Sequence, residues 1–181
     1  MKKFLMGLFL LLSTVSFAGT KVLMKTSLGN LTIELNDAKA PVTTANFLKY
    51  VKDGFYNGLI FHRVMSEFVV QGGGHRPDMS EVPTREAIKN EANNGLKNVR
   101  GTIAMARTQA PDSATAQFYF NVVDNARLDY KDEANWGYCV FGKILKGGDI
   151  LDKIRKVKTH TQGDYENVPV KPVLIESVKV I

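Results

Sequence analysis

Few side chains in this sequence are placed to do covalent chemistry. Three histidines occur, His62, His75 and His160, without the spacing or the cysteine company of a zinc site. No metal is therefore expected. His62 has no nucleophile beside it and reads as a packed core residue rather than a general base. No serine lies in a Gly-x-Ser-x-Gly elbow. The glycines of "GGGHRPD" (72–78) lack the Gly-Lys-Ser/Thr ending that cradles phosphate. Asp129, in "RLDYKDE", reads as a turn former. The single cysteine, Cys139, sits in the apolar run "GYCVFGKI" and reads as buried packing. One cysteine cannot form an internal disulfide.

What remains is a set of aromatic, apolar and amide side chains with arginines among them. The stretch "FHRVMSEFVVQGGG" (61–74) is the densest part. In extended chain Phe61, Arg63 and Met65 share one face, and Ile60, His62 and Val64 the other. Both faces carry apolar residues, so a cation and, further on, the amide Gln71 stand beside greasy neighbours. An arginine snorkelling at a sheet edge is one reading. The other is an apolar pocket with a few fixed donors, which suits a neutral apolar group held by hydrogen bonds. One reaction needs no more than that. Rotation about an X–Pro bond breaks no covalent bond, yet faces a barrier of about 18–20 kcal/mol from amide conjugation. Uncatalysed, it takes roughly tens of seconds, slow enough to delay folding.

The elements that must position these residues can be read along the chain. The 181 residues are 44% hydrophobic and 23% charged, an ordinary globular balance. The start, "MKKFLMGLFLLLSTVSFAGT", differs: Lys2 and Lys3 precede an apolar core, Phe4 to Leu12, and small residues stand at Ser16 and Ala18. That is the pattern of a secretory signal peptide, 1–18, with cleavage after Ala18. No later stretch is apolar enough to cross a membrane, so no stable membrane association is expected after cleavage. Removing residues 1–18 leaves 163, enough for one domain, 19–181, and takes the net charge from +6 to +4. The lysines of "KYVKDG" and "KIRKVKTH" are scattered without aromatic interleaving, so no nucleic-acid partner is expected.

"TKVLMKTSLGNLTIEL" reads as a hairpin turning at "SLGN". "APVTTANFLKYVKDG" reads as a helix. Pro41 starts it, Thr43 or Thr44 caps it, Val42, Ala45, Phe47, Tyr50 and Val51 form the inner stripe, and Gly54 ends it. "GLIFHRVM", "FVVQGG", "GTIAMAR", "AQFYFNVV" and "YCVFGKIL" read as strands, and 75–98 as a long loop or a short helix plus loop. "DILDKIRKV" reads as a second helix capped by Asp149, and "KPVLIESVKVI" as a last strand. Short strands with two helices far apart predict a mainly β fold: a closed antiparallel barrel capped by helices.

The blocks "FHRVMSEFVVQGGG", "GTIAMAR", "SATAQFYFNVVDNARLD" and "VFGKI" resemble, in order and without large insertion over about 20–181, the signature blocks of cyclophilin-type peptidyl-prolyl cis-trans isomerases. With its signal peptide the chain is most similar to the periplasmic cyclophilins of bacteria. The resemblance implies an eight-stranded closed barrel with two capping helices, isomerase activity without a cofactor, a periplasmic monomer, and proline-containing unfolded or extended polypeptides as partners. It places Arg63 on the catalytic arginine, donating toward the prolyl nitrogen. It places Phe68, Val69 and Leu128 on the proline-pocket wall, Gln71 and Gln117 on the amides that hold the substrate backbone, and Ala106 in the peptide-binding strand. Two aromatic positions depart. Tyr119 replaces the usual Phe, adding a hydroxyl at the pocket, and Tyr138 stands where many members have His. Arg107 replaces a commoner Asn, and Arg127 the Trp of cyclosporin-sensitive members. A peptide-binding chaperone module without useful catalysis is the alternative.

Overall fold

A computed structural model of the chain describes residues 19–181. The expected signal peptide and its cleavage site lie outside them. The chain opens with the hairpin: β1 (Lys21–Thr26) and β2 (Gly29–Leu35) pair antiparallel, with Val22 opposite Ile33 and Met24 opposite Leu31. These four side chains and Leu35 are buried, which is what strict alternation dictates for a sheet with one core face. α1 (Pro41–Lys52) follows, and then β3 (Leu59–Ile60), β4 (Arg63–Val64), β5 (Val69–Gly72), β6 (Thr102–Met105), β7 (Phe118–Asn121) and β8 (Val140–Lys146). The chain ends with α2 (Gly148–Arg155), β9 (Thr159–Gln162), β10 (Tyr165–Pro169) and β11 (Leu174–Val180).

Nine of the strands form one antiparallel sheet, in the order β3-β11-β1-β2-β8-β6-β7-β5-β4. The family resemblance implies eight strands in a closed barrel; the sheet has nine segments, and its two end strands, β3 and β4, are not partners of each other. They are consecutive in the chain, separated by Phe61 and His62. Inside the curl of the sheet lies the main core, with Phe118, Phe120 and Phe141 of the strands and Phe61 between β3 and β4 packed with Phe47 and Tyr50 of α1. Phe118 meets Phe47 and Tyr56 edge-on, at 5.8 and 5.4 Å between ring centres.

Two local expectations need correction, and one strand carries a bulge. The face assignment across 60–65 fails at Phe61. Phe61 and Val64 both enter the main core, although they are three residues apart. The chain changes partner there, from β11 to β5, and the bend resets the alternation. In β11 a similar reset occurs: Thr26 pairs with Ile175 but Lys25 with Ser177, so Glu176 is an extra, bulged residue, and Ile175 and Val178 both point inward. The second correction is α1, whose inner face is Thr43, Thr44, Asn46, Phe47, Tyr50 and Val51, while Val42 is 44% exposed and Ala45 faces solvent.

Neither helix is capped as expected. Ala40 is the cap residue of α1 and offers no side-chain bond. Glu91 takes that role from 48 residues away: its carboxylate accepts the Val42 and Thr43 N–H groups at 3.1 and 2.8 Å, and the Thr43 hydroxyl at 2.7 Å. A carboxylate is well placed at the positive end of a helix. Glu91→Ala should therefore lower stability by about 1–2 kcal/mol, measurable by urea unfolding; no change would show the cap to be idle. In α2 the cap residue is Gly147, and Asp149 lies two residues past it, in the first turn, pairing with Lys153 at 3.7 Å. The β9–β10 hairpin was not foreseen. β9 is exposed throughout, so it carries no apolar alternation to read.

Candidate active site

The register of four strands builds the site. Arg63 of β4 lies opposite Gln71 of β5, Gln71 opposite Tyr119 of β7, and Tyr119 opposite Ala104 of β6. Directly paired residues share a face, so these four form one row on the side of the sheet away from the core. Val64, Val70, Phe120 and Ile103, each one residue along, belong to the main core. A one-residue slip would bury Arg63 and Gln71 and expose the phenylalanines. β4 and β5 are held in register by a tight turn, in which Met65 and Phe68 bond across Ser66-Glu67.

Along the row runs a chain of polar contacts. The Arg63 guanidinium donates to Gln71 Oε1 at 3.3 Å, and Gln71 Nε2 donates to Gln117 Oε1 at 3.0 Å. Arg63 and both glutamines are half-buried. Beside them an apolar patch is formed by Val69, Ala104, Tyr119 and Val140, with Phe68, Leu96, Ala106, Leu128 and Tyr138 packed against it. Eight of the sequence-predicted site residues thus meet in one place: Phe68, Val69, Ala106, Tyr119, Leu128 and Tyr138 as the wall, Gln71 and Gln117 as the amides. Ala106 lies just past the end of β6, its N–H bonded to the Gln117 carbonyl at 2.9 Å. Arg107 stands at the edge, its guanidinium 4.5 Å over the Tyr138 ring.

The Tyr119 hydroxyl is not at the pocket, contrary to expectation. It points beneath the wall and donates to Asn98 Oδ1 at 2.7 Å. Burial pushes this phenol well above its ordinary range, so it stays a donor. The wall therefore presents only an aromatic ring.

Asn98 belongs to a set of buried asparagines that the sequence reading missed. Its Nδ2 donates to the carbonyls of Leu128 and Tyr138 at 3.1 and 3.3 Å. Asn121 Nδ2 donates to Asn98 Oδ1, and Asn125 Nδ2 reaches the Phe68 carbonyl at 2.9 Å and Asn121 Oδ1 at 2.8 Å. Phe68, Tyr119, Leu128 and Tyr138 are thus tied to one network. Asn121 offered a signal: asparagine is depleted in strands, and it sits inside the apolar run "FYFNVV".

Two glycines make room for neighbouring side chains, Gly73 for the Phe118 ring and Gly74 for the Gln117 amide. Gly73 has φ of +82°, and a Cβ there would stand 2.7 Å from the Phe118 ring. Gly74 has ordinary backbone, but a Cβ would stand 2.6 Å from Gln117 Cγ, Cδ and Nε2. Gly74→Ala should push that flexible side chain out of its place. The loss of one substrate hydrogen bond predicts a roughly 3- to 10-fold fall in kcat/KM with little change in melting temperature; unaltered turnover would remove Gln117 from the site.

Cys139 is buried, its thiol pushed up to about 11 by desolvation. Asp129 accepts the Asn98 N–H at 2.7 Å. No cluster of three or more histidine, cysteine or acidic residues suited to a metal occurs among the described residues. A groove of about 780 Å³ lies to one side, between the β2–α1 turn, residues 96–102 and β8. It shares Leu96 and Val140 with the patch but contains none of Arg63, Gln71 and Gln117, so the donors needed to hold an amide are outside it.

The family model for cyclophilin type peptidyl-prolyl cis-trans isomerase/CLD matches residues 21–180. The chain belongs to this family. It is 50% identical to "Peptidyl-prolyl cis-trans isomerase A" of Dickeya dadantii, over 99% of this chain and 98% of that one. It is 55% identical to "Peptidyl-prolyl cis-trans isomerase B" of Escherichia coli, over 88% and 98%. Its fold is similar to the crystal structure of a Cryptosporidium parvum cyclophilin, with a TM-score of 0.76 at 25% identity, covering 90% of this chain and 97% of that one. The matched residues include the whole polar row and apolar patch, from Arg63 on β4 to Tyr138 before β8.

Proposed function

We propose that the chain catalyses cis-trans isomerisation of X–Pro bonds in unfolded or extended polypeptides. The observation that carries this reading is the Arg63–Gln71–Gln117 row set beside an apolar wall of Phe68, Val69, Tyr119 and Leu128. A proline ring fits the wall, and the two amides hold the neighbouring backbone. As the bond twists, the prolyl nitrogen loses conjugation and becomes a hydrogen-bond acceptor. The Arg63 guanidinium donates to it. Fixed in a half-buried site, such a donor stabilises the twisted state more than water does. No proton, metal or cofactor is consumed.

The nine-segment sheet supports a closed barrel. Taken as two halves of one bent strand, β3 and β4 reduce the count to eight and join the ends of the sheet through the chain itself. The basic and apolar start of the sequence and its small residues at 16 and 18 support export to the periplasm, removal of 1–18 and action on exported proteins as they fold. N-terminal sequencing of the exported protein should read from Gly19; an intact Met1 would refute export. A protease-coupled assay on the purified 19–181 chain separates an isomerase from a peptide-binding module. An isomerase accelerates the slow cis phase of an Ala-Pro peptide; binding without acceleration would leave only the module.

A further inference from the structure

The cleft carries three guanidiniums, and the proposed mechanism uses one. Arg127 lies 4.3 Å over the Phe68 ring, and Arg107 lies 4.5 Å over Tyr138. Phe68 and Tyr138 both pack against the patch around Tyr119, so the two cations are carried by two parts of the same wall. Arg107 donates to the carbonyls of Gly137, Thr108 and Gln109 at 2.8–3.1 Å. These bonds fix its position and leave its charge uncompensated. The acids nearest in sequence are engaged elsewhere: Glu67 with Arg155, Asp129 with Lys97, and Asp112 and Asp124 with the backbone N–H groups of Asn90 and Arg100. None of the ion pairs among the described residues involves Arg63, Arg107 or Arg127. An arginine stacked on a ring keeps its full charge in a fixed place.

We propose that Arg107 and Arg127 are specificity residues that favour X–Pro segments flanked by acidic side chains. The proposal rests on the reading of this patch as the peptide cleft. With proline against the wall, the residues around it pass the stacked guanidiniums. A glutamate there gains a charge-assisted contact, and a lysine is repelled. The contacts are solvent-facing, so each arginine contributes about two- to fivefold, and added salt weakens the effect.

The test is kcat/KM for proline peptides identical except for Glu, Gln or Lys at the positions flanking the X–Pro pair. Wild type, Arg107→Gln, Arg127→Gln, the double Gln variant and the double Lys variant are compared at low and at high salt. The wild type should prefer the Glu over the Lys peptide about tenfold at low salt, and less at high salt. Each Gln variant should lower that ratio, the double Gln variant should bring it to about twofold, and the double Lys variant, which retains the charges, should keep most of it. Because only the ratio is read, a general loss of activity in a variant does not mimic the effect. Equal turnover of the Glu and Lys peptides by the wild type would overturn the proposal while leaving the isomerase intact. So would a preference that survives in the double Gln variant. Failure of the wild type to turn over any peptide would overturn the isomerase reading and this proposal with it.

Discussion

Replacing Arg63 by alanine should lower kcat/KM for X–Pro isomerisation by roughly 10²–10³, the scale for removing one transition-state donor. The fall should appear in kcat rather than KM, because the prolyl nitrogen accepts a bond only once it is twisted out of conjugation. Stability should change little. Arg63 is half-buried, stands outside the core clusters, and among the described residues its side chain donates only to Gln71. Arg63→Lys restores the charge but not the planar fork, so it should recover only part of the rate. A full rate in the alanine variant would show that the donor lies elsewhere.

The second large effect is on stability in acid. His62 and His75 lie on the far side of the β4 bend, 5% and 2% exposed, with ring centres 4.1 Å apart. Tyr165 meets His75 edge-on at 5.1 Å, and Glu81 Oε1 approaches His75 Nε2 at 3.5 Å. The Nδ1 atoms of both rings have no hydrogen-bond partner among the described residues. The packed core histidine expected at position 62 is found, but without a hydrogen bond at Nδ1. Burial, then the neighbouring His75 and Arg63, lower the pKa of His62 to about 3. Burial lowers that of His75 too, against an opposing pull from Glu81.

Both histidines are therefore neutral when folded and take up protons more readily when unfolded. Their contribution to stability is fully present above the unfolded value of about 6.5 and is lost as pH falls toward the folded one. From pH 6.5 to 4.5, His62 alone should lower the unfolding free energy by about 2 kcal/mol, at about 1.4 kcal/mol per pH unit once titration is under way. His75 adds in the same direction. That window lies above the pKa of most carboxylates. Urea unfolding at a series of pH values measures it. His75→Phe keeps a ring between His62 and Tyr165 and removes one titration, so its profile should be shallower. A flat profile for the unsubstituted chain between pH 6.5 and 4.5 would contradict the neutral pair.

What was legible in the sequence follows from what leaves a periodic trace. The first hairpin, both helices and most sheet strands declared themselves, because one face of each is buried against a single core. The bend at Phe61–His62 and the bulge at Glu176 did not, since neither a change of pairing partner nor a register shift leaves a mark in composition. The exposed β9 strand lacks any apolar pattern. Long-range polar contacts were equally hidden. Glu91 caps a helix it is distant from in sequence, and Asn98, Asn121 and Asn125 meet only after β5, β7 and two loops come together. The cleft residues themselves were found through the resemblance of short blocks to a family. From pattern alone, Arg63 was equally readable as a snorkelling edge residue.

The most direct test of the central claim is exchange NMR on a short Ala-Pro peptide with catalytic amounts of the 19–181 chain. Without a catalyst, cis and trans forms interconvert over roughly tens of seconds. With the chain present, exchange peaks should appear within sub-second mixing times. The cis:trans ratio should be unchanged, since a catalyst speeds both directions equally. Arg63→Ala should show no such peaks while still shifting peptide resonances through Phe68, Gln71 and Gln117. Exchange peaks absent from the wild type, or equally strong in the alanine variant, would contradict the account.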